Sequence, residues 1–270
     1  MTETKLLDTD NLNTDSSTAL DAPSEAELKI VEEMMQAGVM YGHKKTKTNP
    51  KFKTYIHTTR NKVEIIDVVL TLPAIEKAAA FMKEQIKNGK TILLVAVQPA
   101  AREAMDDLAK KLNMPYVKNH WIGGLLTNFK VLSQRLEYFK KTREGMEKGK
   151  FEKHTKKERV MINRNIGKMR EMFEGIEDLT KLPDVLFILD TNLKEHTTAL
   201  REAKIINIPV VAIIDSDDDP TAVDYPIPAN DHAKSSIEWV INRIIERLSA
   251  EGGSSPEANA PQEHASGGKN

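Results

Sequence analysis

The sequence predicts an α/β protein built on a parallel sheet with helices on both faces. Three continuous apolar runs, at residues 91–97, 184–189 and 209–214, have the length and composition of strands that are buried on both faces. Each run is followed by an amphipathic pattern of helical length. Alternation of buried strands with such helices is typical of a parallel sheet with crossover connections.

Helices flank these strands along the chain. They are predicted over residues 71–88, 99–112, 194–207 and 231–248. Gly89 ends the first of them, which begins at Thr71 with Pro73 in its first turn, and Pro99 opens the second. A short apolar piece at residues 225–227 precedes the last helix.

Composition limits the class of protein. A chain of 270 residues, 40% of them hydrophobic, can bury one large core with an additional element. The absence of cysteine excludes a disulfide framework. No apolar run reaches the ~18 residues of a membrane span, and no leader pattern opens the chain. We therefore expect a soluble cytoplasmic protein without a cofactor.

The ends of the chain differ from its centre. Both ends are poor in large apolar residues, which predicts disorder. A capping-box spacing from Ser24 to Glu27 opens a helix that ends before Gly38. The chain thus divides into an acidic tail (1–24), an α/β globular domain (25–128 and 177–250), an insert (129–176) and a second tail (251–270).

A basic segment and a hairpin follow the first helix. Residues 41–53 have no helical period and contain Asn49-Pro50, so we expect a loop whose side chains are free to reach a partner. Residues 55–58 and 63–67 are predicted to be two strands of a hairpin.

The insert has its own pattern. Apolar residues recur at heptad-like steps on two segments: Phe129, Leu132, Leu136, Phe139, Ile162, Ile166, Met169, Phe173 and Ile176. Gly145 and Gly149 lie between the segments, and residues 155–158 have capping-box spacing. We expect an antiparallel, coiled-coil-like helical hairpin that projects from the domain with a basic outer surface. Two ordinary amphipathic helices lying on the domain are the alternative.

Charge is segregated along the chain. The net charge of −1 argues against a polyanionic partner, but residues 42–63 carry seven Lys or Arg and no acid. Residues 130–170 carry 14 basic and 5 acidic residues, whereas residues 177–231 carry 12 acidic and 4 basic residues. One surface can therefore hold a polyanion while another repels it. We expect the acids of residues 215–219 to face away from the polyanion.

The junction between the sheet domain and the insert holds Trp121 and the adjacent Gly123 and Gly124. Glycines permit a backbone path that is closed to other residues, and Thr127 or Asn128 is placed to cap the following helix. We predict that Gly123, Gly124 and Thr127 form a structural joint that positions the insert. Stacking of Trp121 on a base is the alternative.

Catalytic motifs are weak in this chain. Gly89-Lys90-Thr91 imitates the end of a phosphate-binding loop, but it precedes its strand and lacks the earlier glycine. The acids of residues 215–219 follow a buried strand, where open α/β sheets bind ligands. They fit neither a phosphatase motif of the haloacid dehalogenase type nor a calcium loop.

No catalytic residue is predicted. Binding of a divalent cation by Asp215, Asp217 and Asp219 stays open as an alternative to no metal. The seven histidines show no ligand spacing, and without cysteine we expect no structural zinc site.

An ordered set of motifs runs from about residue 27 to residue 248. It comprises Ala37-Gly38-Val39, Gly42-His43, Asn49-Pro50-Lys51, Val117, and the stretches 121–128, 183–190, 208–215, 219–220 and 223–231. In order and spacing, these motifs resemble the bacterial family of the second protein of the small ribosomal subunit, the S-two family.

The resemblance implies a flavodoxin-like sheet with a projecting helical hairpin, located on the solvent side of the small subunit between head and body. It implies contact with small-subunit rRNA and neighbouring ribosomal proteins, including docking of the large RNA-binding protein S-one. It implies no enzymatic activity, membrane contact or small-molecule substrate. Together with the charge pattern, it assigns RNA contact to Lys44, Lys45, Lys47, Lys51, Lys53, Arg60, Lys118, His120, Trp121, Asn128, Lys140, Lys141, Arg143, Lys153, Lys156, Lys157 and Arg159.

Three positions depart from the family pattern. Thr48 stands where the family usually has Trp, His120 where it has Arg, and Gln98-Pro99 where Gly-Thr-Lys commonly follows the first buried strand. Each departure loses a stacking or cationic group. Lys118 and the lysines of residues 44–47 are candidates to compensate.

Two other functions compete with a structural ribosomal role. A phosphohydrolase or nucleotide-binding enzyme of doubly wound fold would use Asp190, Asp215 and Asp217, and phosphate-ester turnover abolished by Asp215→Asn would favour it. A protein-binding scaffold would recruit a helical partner through the insert, and binding that is insensitive to salt would favour that function.

Overall fold

The computed structural model describes residues 25–149 and 155–249. In chain order its regular elements are α1 (Glu25–Ala37), β1 (Tyr41–Lys44), β2 (Ile56–Arg60), β3 (Val63–Ile66), α2 (Val68–Lys87), β4 (Ile92–Val95), α3 (Arg102–Leu112), β5 (Tyr116–Val117), α4 (Phe129–Glu147), α5 (Lys156–Phe173), β6 (Val185–Leu189), α6 (Lys194–Ile205), β7 (Val210–Ile214), β8 (Tyr225–Pro228) and α7 (Lys234–Ser249). Across these ranges, none of the helices combines the length and the apolar character needed to cross a bilayer. The two predicted tails, Ser24 and Lys153 lie outside the described residues.

Five strands form a fully parallel sheet in the order β5-β4-β6-β7-β8. Counted along the chain within this sheet, the order is 2-1-3-4-5, which is the flavodoxin-like order. This confirms the predicted parallel α/β class. The apolar piece at residues 225–227 is the edge strand β8, where Pro226 and Pro228 are tolerated because an edge leaves backbone groups unpaired.

The sheet separates two apolar layers. Alternate residues of β4 point to opposite sides, so that Ile92 and Leu94 join the layer under α2, α3 and α7, while Leu93 and Val95 join the layer under α6. All residues of β4, β6 and β7 are buried because both faces are covered. Each fully buried Leu, Ile or Phe side chain contributes about 1.5–3 kcal/mol to stability.

The interpretation of residues 41–53 as a loop was wrong. Tyr41–Lys44 forms β1, which pairs with β3 in a second, antiparallel sheet of order β1-β3-β2. Residues Lys45–Lys47 and Pro50–Tyr55 form two short 3-10 helices, and Phe52 is fully buried. Lysines on a short edge strand give no strand signal in the sequence, although they are usual at edges.

Helix α2 begins three residues before the predicted start. The Asp67 carboxylate accepts the Val69 backbone N–H and caps the helix at its true beginning. Pro73 therefore lies inside α2, where its missing N–H leaves the Val69 carbonyl without its helical partner.

The two segments of the insert are the helices α4 and α5. Leu132, Leu136 and Phe139 of α4 are buried, as are Ile166 and Phe173 of α5. The rings of Phe139 and Phe173 lie 5.9 Å apart, and these residues join the apolar layer on the α6 side of the sheet. The Thr155 capping box with Glu158 is present as predicted.

Candidate nucleic-acid interface and strand-end cluster

A buried carboxylate organises the junction before α4. Glu202 of α6 accepts hydrogen bonds from the Trp121 ring Nε1 (3.1 Å) and from the backbone N–H groups of Gly124 (2.8 Å), Leu126 (3.0 Å) and Thr127 (3.3 Å). The Thr127 hydroxyl adds a further donor at 3.3 Å. An acidic side chain thus replaces the regular backbone partners that this irregular segment lacks.

A second acid on the same helix supports the same segment. Glu195 lies seven residues before Glu202, and two helical turns place both on one face of α6. Its carboxylate accepts the Trp121 backbone N–H at 2.7 Å and lies 2.9 Å from the His120 Nδ1. Sequence reasoning missed both glutamates, although the spacing of two acids among the buried alanines of α6 was a usable signal.

The geometry refines the predicted joint. Gly124 has a φ of +85°, and a Cβ there would lie 3.3 Å from the Asn128 Cβ, so glycine is required by conformation. A Cβ at position 123 would meet open space, so the structure does not require glycine there. The predicted cap was wrong, because the Asn128 side chain makes no capping hydrogen bond and the Thr127 hydroxyl points to Glu202 instead.

The Trp121 side chain is only 3% exposed, and its ring N–H is already bonded to Glu202. The indole is therefore enclosed in this conformation, which favours the joint over base stacking. His120 is exposed at the same segment and faces Glu195.

The structure divides the predicted RNA-binding cations into two groups. The first group pairs with acids of the same chain: Lys51 with Asp219 (2.7 Å), Lys118 with Glu174 (3.0 Å), Lys140 with Asp178 (2.8 Å), Lys141 with Glu137 (2.7 Å), and Arg143 with Glu177. These ion pairs reduce the positive potential that a polyanion would meet at each side chain.

The second group is exposed and, within the described residues, forms no ion pair: Lys44, Lys45, Lys47, Lys53, Arg60, Lys156, Lys157 and Arg159. The first four belong to the basic segment of residues 41–53, and Arg60 lies on β2. Pairing of both β1 and β2 with β3 in the small antiparallel sheet makes this region rigid. The last three lie in the first turn of α5.

The basic segment packs against the acidic loop that follows β7. The His43 backbone N–H donates to the Ser216 hydroxyl at 2.7 Å, and the Asn49 N–H donates to the Ser216 carbonyl at 2.8 Å. A Cβ on Gly42 would lie 2.8 Å from the Ser216 Oγ, so only glycine permits this approach. Attraction within the chain thus brings residues 215–219 next to the basic segment, and the expectation that these acids face away from RNA stays a prediction.

Buried acids meet at the carboxyl ends of the parallel strands. Asp190 follows β6, Asp215 and Asp218 follow β7, and Asp231 follows β8. All four side chains are nearly inaccessible to solvent. This edge is where open α/β sheets bind ligands. We call Asp190, Asp215, Asp217, Asp218 and Asp231, with His43 and His232, the strand-end cluster.

Crowding and burial shift the protonation of this cluster. Burial raises the pKa of Asp218 to about 7, although the Thr191 hydroxyl donates to its carboxylate at 2.6 Å. Burial and the negative charge of Asp190 raise the pKa of Asp231 well above its usual range. The hydrogen bond with the Asp215 carboxylate raises the pKa of His43.

The three acids that the sequence offered as ligands of a divalent cation, Asp215, Asp217 and Asp219, do not all lie together. Asp219 lies outside the cluster, because its carboxylate pairs with Lys51 and accepts the Thr221 N–H. Asp215 is 2% exposed and held by the Ser216 N–H and by His43, an arrangement that does not present it as a free nucleophile for a phosphohydrolase. His43 and His232 were absent from the prediction because they are distant in sequence.

Fold and site together define a flavodoxin-like α/β domain that carries a rigid basic segment beside an acidic strand end. The family model described as "Ribosomal protein S2" matches residues 34–251. The chain belongs to this ribosomal protein family, which confirms the resemblance in the sequence.

Curated relatives agree over most of the chain. The chain is 39% identical over 218 residues to "Small ribosomal subunit protein uS2" of Coprothermobacter proteolyticus, covering 81% of each chain. A protein of the same name from Dictyoglomus thermophilum is 39% identical over 219 residues, covering 81% of this chain and 88% of the relative. That of Corynebacterium diphtheriae is 41% identical over 232 residues, covering 85% and 86%.

Proposed function

We propose that this protein is a non-enzymatic structural component of the small ribosomal subunit that binds small-subunit rRNA in the cytoplasm. Family membership and the names of the relatives support the assembly. Asp190, Asp215 and Asp218 at the strand end are enclosed and bonded within the chain, which supports a role without catalysis.

The observation that carries RNA binding is the exposed group of cations that form no ion pair with any residue the structure describes. Lysines and arginines that neutralise phosphates release counterions, which makes affinity fall as salt rises. Lys44 lies on strand β1, and Lys45 and Lys47 lie in the 3-10 helix that follows it. The backbone is therefore already ordered, and only these three side chains lose conformational freedom when RNA binds. Lys118, Lys140, Lys141 and Arg143 contribute less, because neighbouring acids already neutralise them.

The insert is proposed to be a hairpin that reaches RNA with its outer end. Its inner end is anchored by Phe139 and Phe173 in the apolar layer, while Lys156, Lys157 and Arg159 lie at the opposite end of α5. Lys153 belongs to the same proposal.

Neighbouring ribosomal proteins, including S-one, are proposed partners as well. The family resemblance supports this contact, and α1 offers the exposed apolar side chains of Leu28 and Met35 as a surface for protein.

The test compares two triple charge reversals in the full-length protein. Lys44→Glu, Lys45→Glu and Lys47→Glu should weaken binding to small-subunit rRNA at least tenfold and flatten the dependence of log affinity on log salt by about 3. The control reverses Lys87, Lys110 and Lys111, which are exposed outside both basic segments and change the net charge equally. Equal effects of the two triples would show that net charge alone, and not this segment, governs binding. Incorporation of both variants into subunits, followed by sedimentation, supplies the second measurement.

A further inference from the structure

Helix α5 carries positive charge along most of its length. Between residues 156 and 170 it contains six cations and one acid, Glu158, which closes the capping box with Thr155. All six cations are exposed, and none of them forms an ion pair with a residue for which the structure gives a position: Lys156, Lys157, Arg159, Arg164, Lys168 and Arg170. The basic surface of α5 therefore continues well beyond the first turn that the sequence singled out.

Three of these cations form a row on the face that points away from the core. Lys157, Arg164 and Lys168 are separated by seven and four residues, so their side chains leave the helix within about 40° of one another. The buried Ile166 leaves it about 160° away from Arg164. At a rise of 1.5 Å per residue, the row is about 16 Å long. An elongated polyanion can contact all three cations at once.

A glycine lies beside this row without a reason inside the protein. Gly167 is exposed in the interior of α5, and a Cβ added there would meet no neighbouring group within 4 Å. Its backbone is helical and needs no glycine. A glycine at such a position costs about 1 kcal/mol relative to alanine. By contrast, Gly42 and Gly124 are each explained, the first by the approach of Ser216 and the second by a positive φ.

Glycine also permits another molecule to approach a helix backbone closely. The core of a protein–protein contact is poor in charge and rich in aromatic side chains, whereas phosphates are contacted by Lys, Arg and Asn. The exposed residues that surround Gly167 on α5 are all polar, and three of them are cations: Asn163, Arg164, Lys168, Arg170 and Glu171. These surroundings favour phosphate. Glu171, the acid of the set, repels phosphate and marks the end of the surface.

We propose that the exposed face of α5 binds the sugar–phosphate backbone of rRNA lengthwise, with Gly167 at the point of closest approach. Arg164 and Lys168 contact phosphates next to the glycine, and Lys157 contacts the RNA further along the row. This inference rests on the proposed binding of small-subunit rRNA. It extends the contact from the outer end of α5 to the middle of the helix.

The test replaces Gly167 in the full-length protein and measures the melting temperature and the affinity for small-subunit rRNA. Gly167→Ala should raise the melting temperature by roughly 2–3 °C, because alanine favours a helix more than glycine does. The same change should weaken rRNA binding roughly threefold, and Gly167→Gln roughly tenfold, because the added side chain holds the phosphates away from the helix. Asn165→Gln is the control. It places the same side chain on the opposite flank of α5 and should leave the affinity unchanged.

A double variant tests the row of cations. Arg164→Gln with Lys168→Gln should flatten the dependence of log affinity on log salt by about 2, since two phosphate contacts are lost. The matched control is Lys110→Gln with Lys111→Gln, which removes two exposed charges from α3 and should leave the slope unchanged.

Three outcomes would overturn the inference. Unchanged rRNA affinity in Gly167→Gln would refute the lengthwise contact, while the proposed function would stand if reversal of Lys44, Lys45 and Lys47 still weakened binding. Unchanged rRNA affinity together with reduced incorporation of Gly167→Gln into subunits would assign this face to a neighbouring protein. An unaltered protein that does not bind rRNA would refute both the inference and the proposed function.

Discussion

Two sets of buried carboxylates in this domain have opposite surroundings. Glu202 is 6% exposed, and five donors of the Trp121 segment bond to its two oxygens. Asp231 is fully buried with one bonded oxygen and one orphan, beside four other acids. The difference is one of donors: Glu202 lies among N–H groups, and Asp231 lies among other carboxylates.

Burial of an acid is therefore not by itself a sign of function. A carboxylate that satisfies backbone N–H groups replaces missing secondary structure and stabilises the charged form. A carboxylate crowded by like charges destabilises the protein unless a proton or a cation joins it. Identical chemical changes at the two places should consequently have different effects on stability.

The largest effect is expected from Glu202→Gln. The new amide nitrogen cannot accept a hydrogen bond, so some of the buried N–H groups of Gly124, Leu126 and Thr127 lose their acceptor. We expect the free energy of unfolding in urea to fall by about 3 kcal/mol. The matched change Asp231→Asn, measured in chelator, should leave it within about 1 kcal/mol of the unaltered protein or raise it. Equal losses in the two variants would contradict the comparison.

Trp121→Phe removes one of the donors to Glu202 and part of the packed ring. We expect a loss of about 2 kcal/mol in stability, because a hydrogen bond to a charged group is lost and a small cavity remains. RNA affinity measured well below the melting temperature should not change. An RNA affinity that falls while the melting temperature holds would instead establish that Trp121 stacks on a base.

Gly124→Ala tests the turn that Glu202 holds. The φ of +85° is unfavourable for any residue with a Cβ, so stability should fall by about 1–2 kcal/mol. Gly123→Ala serves as the control, since open space surrounds that position, and it should change stability by less than ~0.5 kcal/mol. Thermal melts of the two variants measure this difference. A larger loss of stability for Gly123→Ala would contradict the conclusion that Gly124 is the glycine the turn requires.

The smallest effect concerns an exposed ion pair near the same segment. The hydrogen bond from Lys118 lowers the pKa of Glu174 below its ordinary value of 4.5. A carboxyl group whose pKa is lower in the folded state than in the unfolded state stabilises the folded protein at pH values above the unfolded-state pKa. This stabilisation is lost as the pH falls through the folded-state pKa. Because Glu174 is 41% exposed, we expect less than ~1 kcal/mol. Glu174→Gln should flatten the stability profile below pH 4.5, and Asp178→Asn, a change at a side chain that is 99% exposed, serves as the control.

The sequence predicted the parts of the fold that depend on local patterns. Residues 184–189 and 209–214 were recognisable as buried strands because, apart from Asp184, every side chain in them is apolar. The edge strands β1 and β8 were not assigned as strands, since one is rich in polar residues and the other contains two prolines. Only pairing with β3 and β7 makes them strands.

The candidate sites were only partly recognisable. The basic segment and the glycine pair were found from charge and from residue type, and the acids after β7 from their position behind a strand. Glu202 was missed because its position among the alanines of α6 is the only local sign of its burial, and its bonding partners lie about 80 positions away. His43 and His232 were missed for the same reason, as each is an isolated histidine among polar neighbours.

The sequence by itself determined the class of fold, the segregation of charge and membership of the family, because hydrophobic period, composition and motif order are all local properties. Only the tertiary structure decided which cations are already paired, which glycine is required and which acids meet. Glu202 bonds to Trp121 across 81 positions, and His43 bonds to Asp215 across 172 positions. Contacts over such distances have no periodic signature, since they arise from the packing of whole elements against one another.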